Sequence, residues 1–210
     1  MKKIYVNNIQ YAGNLHSHDV TDPLEKLTCE LEFGKVYGLQ GSIGDGAWTL
    51  SWIIGGLLTP DQGTLLLDDK KINANYLRKI SWIVRYDEIK RFGFISQSVK
   101  AQIQSGITEL REENLINSFY LTPERYTRKL SQQSSEAWRS SCAIGFAHGK
   151  KIFCFPHMSY IRPKFITEYR SLWLEDMLNF LKVSGSLVLF PSEFNSTEID
   201  MFDDVISVSN

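Results

Sequence analysis

An α/β fold with a central, largely parallel sheet is what this chain predicts, and three observations predict it. Apolar strand runs alternate with helical patterns along most of the length. One alternation is a tight strand–turn–helix unit: Val36-Tyr37-Gly38-Leu39 passes through the glycine-rich stretch 41–49 into the helical pattern Thr49-Leu50-Ser51-Trp52-Ile53-Ile54. Finally, Ile152-Phe153-Cys154-Phe155 is a continuous apolar run, as expected of a strand covered on both faces.

Composition bounds the reading. With 210 residues and 43% hydrophobic content the chain can bury a sizeable core, and one compact domain is expected. Lys and Arg number 23 against 24 Asp and Glu, a formal charge of −1, so there is no global attraction to nucleic acid or anionic lipid. Residues 1–15 turn polar at Asn7-Asn8 and Gln10 and lack the apolar core of a signal peptide. The longest apolar stretch, 52–58, is far below the roughly 20 residues that span a bilayer. A cytoplasmic protein without direct membrane insertion is expected. Cys29, Cys142 and Cys154 are odd in number and far apart in apolar or mixed segments, so they read as reduced core thiols.

In chain order, Lys3-Ile4-Tyr5-Val6 reads as a first strand and Lys26-Leu27-Thr28-Cys29-Glu30-Leu31 as a second, half-exposed one. The polar stretch 13–23 between them reads as a loop. His16 and His18 lie in it at i, i+2, but no Cys or carboxylate cluster accompanies them, which favours a solvated loop over a metal site. After the first helix, Thr59-Pro60-Asp61-Gln62-Gly63 supplies turn residues before the strand Thr64-Leu65-Leu66-Leu67. Ser186-Leu187-Val188-Leu189-Phe190 and Val205-Ile206-Ser207-Val208 read as late strands.

The glycine-rich stretch fits the spacing of a phosphate-binding loop, G-x-x-x-x-G-K-[ST], from Gly41 to Gly46, with Gly44 and Asp45 inside it. The next positions hold Ala47 and Trp48, followed by Thr49. Lys would contact the β- and γ-phosphates there and Ser or Thr would hold Mg²⁺. Asp45 places an anion inside a loop suited to anions, and Trp48 places a bulky ring at the metal position. The backbone N–H groups and helix dipole remain, which is enough for weak capture of a sulfate or phosphate at 44–49.

The run Gly34-Lys35-Val36-Tyr37-Gly38-Leu39-Gln40-Gly41, the glycine loop, Gly55-Gly56-Leu57-Leu58-Thr59-Pro60-Asp61-Gln62-Gly63-Thr64 and Leu66-Leu67-Asp68 together resemble the ATP-binding subunit of ABC transporters. The resemblance can be followed across almost the whole chain. It implies a P-loop NTPase-like three-layer core, with the mostly parallel central sheet joined by an antiparallel edge sheet and a shortened helical subdomain at 97–140, all within a single domain 1–210. It sets Gln97 at the Q-loop and Tyr11 where an aromatic stacks on adenine, with plain surface packing of Tyr11 the competing reading. Leu130-Ser131-Gln132-Gln133-Ser134 stands at the L-S-G-G-Q signature: Ser131 is kept, while Gln132 and Gln133 replace glycines and place side chains where backbone would approach a γ-phosphate. The alternative for this segment is an ordinary helix start capped by Ser131. Pro156 and His157 stand where the family has an Asp for Mg²⁺ and a Glu that activates water. Arg162 replaces the D-loop Asp, and Pro191-Ser192-Glu193 follows the last strand where a switch His is expected.

These substitutions predict a catalytically inactive subunit, with no catalytic residue, no metal site and no ATP or Mg²⁺ as cofactor. The resemblance implies partners: a transmembrane permease subunit, a second and competent ABC ATPase subunit, and a dimer, with no nucleic acid and a peripheral place on the inner membrane face. Two readings compete. One is a divergent working ATPase that uses Gln97, Thr49 and His157; the other is a stand-alone module that binds a protein or an unrelated anion.

Overall fold

The computed structural model describes residues 2–15, 20–85, 97–106, 112–133, 136–162 and 164–208. His16, His18, Ser134, residues 92–96 of the Q-loop stretch and residues 107–111 of the expected helical subdomain lie outside them. The elements run β1 (Lys3–Tyr11), β2 (Asn14–Leu15), β3 (Val20–Thr21), β4 (Leu24–Glu32), β5 (Val36–Gln40), α1 (Ala47–Ile54), β6 (Gln62–Leu67), β7 (Lys70–Ile72), α2 (Ala74–Ile80) and β8 (Ser81–Ile83). There follow α3 (Val99–Gln104), α4 (Glu112–Ser118), α5 (Pro123–Tyr126), α6 (Ala137–Ala147), β9 (Ile152–Cys154), α7 (Met158–Ile161), α8 (Phe165–Tyr169), α9 (Glu175–Val183), β10 (Leu187–Ser192) and β11 (Asp204–Ser207). The chain divides into two compact units, one made of Met1–Ile83 with Lys151–Asn210 and the other of Val84–Lys150, wider than the 97–140 segment expected.

The larger unit holds both principal sheets. Five parallel strands lie in the order β11-β5-β10-β9-β8, and an antiparallel sheet has the order β4-β1-β6-β7. In β10 the two-residue side-chain period is visible in what each residue touches. Leu187 and Leu189 join the aliphatic core with Leu50, Ile53 and Ile54 of α1. Phe190 instead meets the rings of Phe155, Phe165 and Phe202 at 4.7–6.4 Å. Both faces of this strand are therefore covered, as its unbroken apolar run predicts. In β1, Ile4 and Val6 point inward against Leu31, Cys29, Leu67 and Leu65. A bulge at Asn8, with φ +50, resets the register so that Ile9 also turns inward.

All eight residues of α1 are buried, because the helix packs on β5, β9 and β10 and also on β4 of the antiparallel sheet. A helix in that position is apolar around its circumference rather than on one stripe. By contrast α9 is amphipathic: Met177, Leu178 and Leu181 are buried, Glu175 and Asp176 open its first turn and Lys182 closes its last, the charge order that a helix dipole favours. The stretch 13–23 differs from the expected loop. It forms a small antiparallel pair, Asn14 with Thr21 and Leu15 with Val20, and two-residue strands are too short to show a period in sequence.

In the smaller unit α6 packs on α3 and α4. Gly106 approaches α6 so closely that a Cβ there would lie 2.6 Å from the Ala147 backbone. Among the described residues no helix is long and apolar enough to cross a membrane.

Candidate functional site

The glycine loop leaves β5 at Gln40 and enters α1 at Ala47, and its shape depends on two glycines in the left-handed region, Gly44 at φ +103 and Gly46 at φ +89. Successive N–H groups in such a turn, at the start of a helix, form a concave anion-binding nest. The nest is filled from within the chain. Gly44 and Gly46 both donate N–H to Oδ1 of Asp22, at 2.8 and 3.0 Å, and Thr49 N–H donates to Oδ2 at 2.8 Å. The Thr49 hydroxyl donates to the backbone carbonyl of Asp22. Both residues are fully buried. Asp45 turns back on its own loop, where Oδ2 accepts the Ser42 N–H at 2.8 Å.

Trp48 is also fully buried, so its ring belongs to the core rather than to a metal position. It packs with Val20 and Trp52, edge-on to Trp52 at 5.4 Å and tilted against Tyr160 at 5.9 Å. Thus one residue of the loop supplies an apolar seat for β3, the strand that immediately precedes Asp22.

The ends of β9 and β10 meet the loop's first residue. Pro156 is buried after β9, and His157, 1% exposed, donates from Nε2 to the Gly41 carbonyl at 2.8 Å. Gly41 N–H in turn donates to the Ser192 carbonyl at 3.3 Å. Ser192 Oγ lies 2.6 Å from Ser159 Oγ, which accepts the Glu193 N–H at 3.0 Å. An open cleft of about 720 Å³ lies here, with Ser42, His157, Ser159, Tyr160, Glu193 and Glu198 among its walls and no Lys or Arg among the described residues that line it.

The structure therefore brings together 41–49, Pro156, His157, Ser192 and Glu193. Tyr11 ends β1 opposite Leu24 and packs, half-buried, against the aliphatic core. Gln97, Ser131, Gln132 and Gln133 belong to the other unit. Gln97 is exposed and accepts the Gln102 side chain on its carbonyl. Ser131 is not a helix cap: it lies exposed in the 3-10 turn Leu130–Gln132, and the residue that precedes α6 is Glu136. Nor does Gln133 present its side chain outward. It is fully buried, its Nε2 donating to the carbonyls of Arg125 and Arg128 and its Oε1 accepting from Ser140 Oγ at 3.0 Å. The short 3-10 turn points residue 133 inward, while Gln132 stays exposed and accepts the Lys129 N–H.

No family model matches the chain. Among curated proteins it is 33% identical over 97 residues to a putative ABC transporter ATP-binding protein of Mycoplasma pneumoniae, covering 45% of this chain and 16% of that one. It is 27% identical over 147 residues to an energy-coupling factor transporter ATP-binding protein of Staphylococcus aureus, covering 69% of this chain and 46% of the relative. The chain thus spans between about a sixth and under half the length of these relatives. Among solved structures, CbiO1 of Clostridium perfringens, part of the ABC transporter complex CbiONQ, superposes with a TM-score of 0.69 at 17% identity over 98% of this chain and 84% of that one.

The fold is that of an ABC transporter ATP-binding domain.

The residues around the loop 41–49 are joined by hydrogen bonds internal to the chain. The relatives are named as ATP-binding proteins. Two residues that organise the described parts carry no motif. Asp22 is one. Glu136, 1% exposed, is the other: its carboxylate accepts the Thr122 N–H and hydroxyl and lies 3.5 and 3.8 Å from Arg125 and Arg139. The signal available for Asp22 was indirect: a loop of N–H groups that keeps its glycines but has lost its Lys still requires an anion or water.

Proposed function

We propose that this chain is a catalytically inactive ABC-type subunit, a structural or regulatory partner in a membrane transport complex rather than its motor. The observation that carries this reading is the cleft beside the loop. Its charged walls are Glu193 and Glu198, with no Lys or Arg among the described residues that line it, and its buried His157 spends Nε2–H on the Gly41 carbonyl. A triphosphate site needs cations and donors aimed at the charge that develops on the transferred group. Carboxylates there raise the energy of a bound polyphosphate, since like charges disfavour each other at close range.

The loss of one charged hydrogen-bond donor weakens binding by about 1.5–3 kcal/mol, and each 1.4 kcal/mol or so is tenfold in affinity. Relative to the pattern that the resemblance implies, Ala47 and Glu193 stand in place of two donors, and Pro156 in place of a metal-binding carboxylate. The relatives' names place them in transporters, which supports a permease and a competent ATP-binding subunit as partners and a peripheral cytoplasmic place for this chain. The test has two parts. The purified chain is expected to show no thermal shift with Mg-ATP and no phosphate release above background. It is expected to co-purify with its membrane complex whether or not nucleotide is present. Micromolar Mg-ATP binding with turnover would falsify the proposal.

A further inference from the structure

We propose that Asp22 is a built-in surrogate for a bound phosphate: its carboxylate holds the 41–49 loop in an anion-loaded conformation without nucleotide, and the nest accepts an external tetrahedral oxyanion only when Asp22 is removed. This rests on the inactive reading above and adds to it how the loop is kept.

The argument begins with burial. Asp22 is 0% exposed, and among the described residues none of the ion pairs reaches it. A buried carboxylate without a cation must be compensated by hydrogen bonds and dipoles. Here three N–H groups at 2.8–3.0 Å supply them, and they stand at the start of α1, an eight-residue helix whose positive end favours an anion. The need is mutual. Without Asp22 the same N–H groups face inward with nothing to receive them.

The segment that carries Asp22, between β3 and β4, is fixed independently of these bonds. Val20 on one side packs with Trp48 and Trp52, and Leu24 on the other is in the aliphatic core. Pro23 restricts the backbone between them. The approach is close: a Cβ on Gly46 would lie 2.8 Å from the Pro23 carbonyl and the Leu24 Cα. The 22–24 backbone therefore touches the loop at the point where a phosphate-binding loop receives its ligand. Trp48 connects the two changes. The residue that replaces a metal-binding hydroxyl is also the one that seats Val20, so the loss of one function and the gain of the other share a side chain. Asp45 completes the set by taking the Ser42 N–H.

Anion titration of the full chain tests this. The wild-type melting temperature is expected to be indifferent to inorganic phosphate and sulfate when compared with chloride at equal ionic strength. Asp22→Ala is expected to melt at least about 5 °C lower and to regain most of that loss in phosphate or sulfate but not in chloride, as a ligand that binds only the folded state must do. Asp22→Asn keeps one carbonyl acceptor and sets an amide against Thr49 N–H, so an intermediate loss with a weaker anion response is expected. Should Asp22→Ala fail to fold, Asp22→Asn and hydrogen exchange of wild-type Gly44, Gly46 and Thr49 amides carry the test, with protection expected equally in the presence and absence of Mg-ATP. Phosphate-dependent stabilisation of the wild type, or fast exchange at those amides, overturns the proposal. So do Asp22 variants that melt like wild type and ignore phosphate, an outcome that leaves the inactive reading standing. Phosphate release by the wild type removes the inactive reading itself, and the two failures are read in different assays.

Discussion

At the scale of single residues, the described parts are held by polar side chains that satisfy backbone groups far away in sequence. Gln133 is the clearest case in the smaller unit. Its amide bridges the carbonyls of Arg125 and Arg128 to the Ser140 hydroxyl with no exposure to solvent, where the family pattern has a glycine that makes none of these bonds. Gln133→Gly is therefore expected to destabilise the chain by about 1–3 kcal/mol, because the buried Ser140 hydroxyl loses its acceptor and the two carbonyls keep only the N–H groups of Arg128 and Val99. Urea unfolding followed by circular dichroism checks it, and an unchanged midpoint would count against the structural role. Asp22 and Gln133 also mark where reading the sequence stops. Asp22 meets N–H groups 22, 24 and 27 residues away. Bonds to backbone carry no residue-type signal, since any sequence supplies the N–H.

Elements were legible where a period or a continuous run was long enough to read. The unit β5–loop–α1 follows from an apolar strand, glycines at fixed spacing and an apolar helix, and α1 begins at Ala47, two residues before the helical pattern suggests. The strand pair Asn14–Leu15 and Val20–Thr21 was not legible, because its position follows from Val20 sitting against Trp48. Ser131 as a helix cap failed for a related reason: the chain makes a separate 3-10 turn before α6, so the capping position falls later. The thiols behave as their elements dictate. Burial in α6 and β9 raises Cys142 far above the usual thiol range and raises Cys154 to about 12, and burial likewise raises Cys29 in β4 to about 12. A thiol reacts through its thiolate. All three are therefore expected to react slowly with a disulfide reagent from neutral to moderately alkaline pH and rapidly after denaturation. Cys29 is only half-buried, so fast labelling of Cys142 or Cys154 in the native chain at neutral pH is the result that would contradict their burial.

At the scale of the molecule, the ABC frame was legible across most of the chain because the order and spacing of short motifs can be read even where single residues depart from the family pattern. The division into two units with bounds at 83 and 151 was only partly so, since the motifs place the inserted segment at 97–140 and say nothing of where its contacts end. A carboxylate that occupies the loop also bears on what reversing the proposed inactivity would take. Restoring the family's Lys by Ala47→Lys would bring an ammonium to a loop whose anion is already in place. Residue 47 is fully buried in the aliphatic core, so the new side chain is expected to lower the melting temperature and to create no affinity for ATP. Calorimetric titration of A47K with Mg-ATP decides this, and a measurable binding isotherm would refute it. Removal of Asp22 alone is expected to admit a small oxyanion at a cost in stability, while a nucleotide also needs the Lys at residue 47 and relief from the carboxylates of Glu193 and Glu198. On the inactive reading proposed above, selection acting on one substitution at a time would meet a loss of stability before any gain in nucleotide affinity.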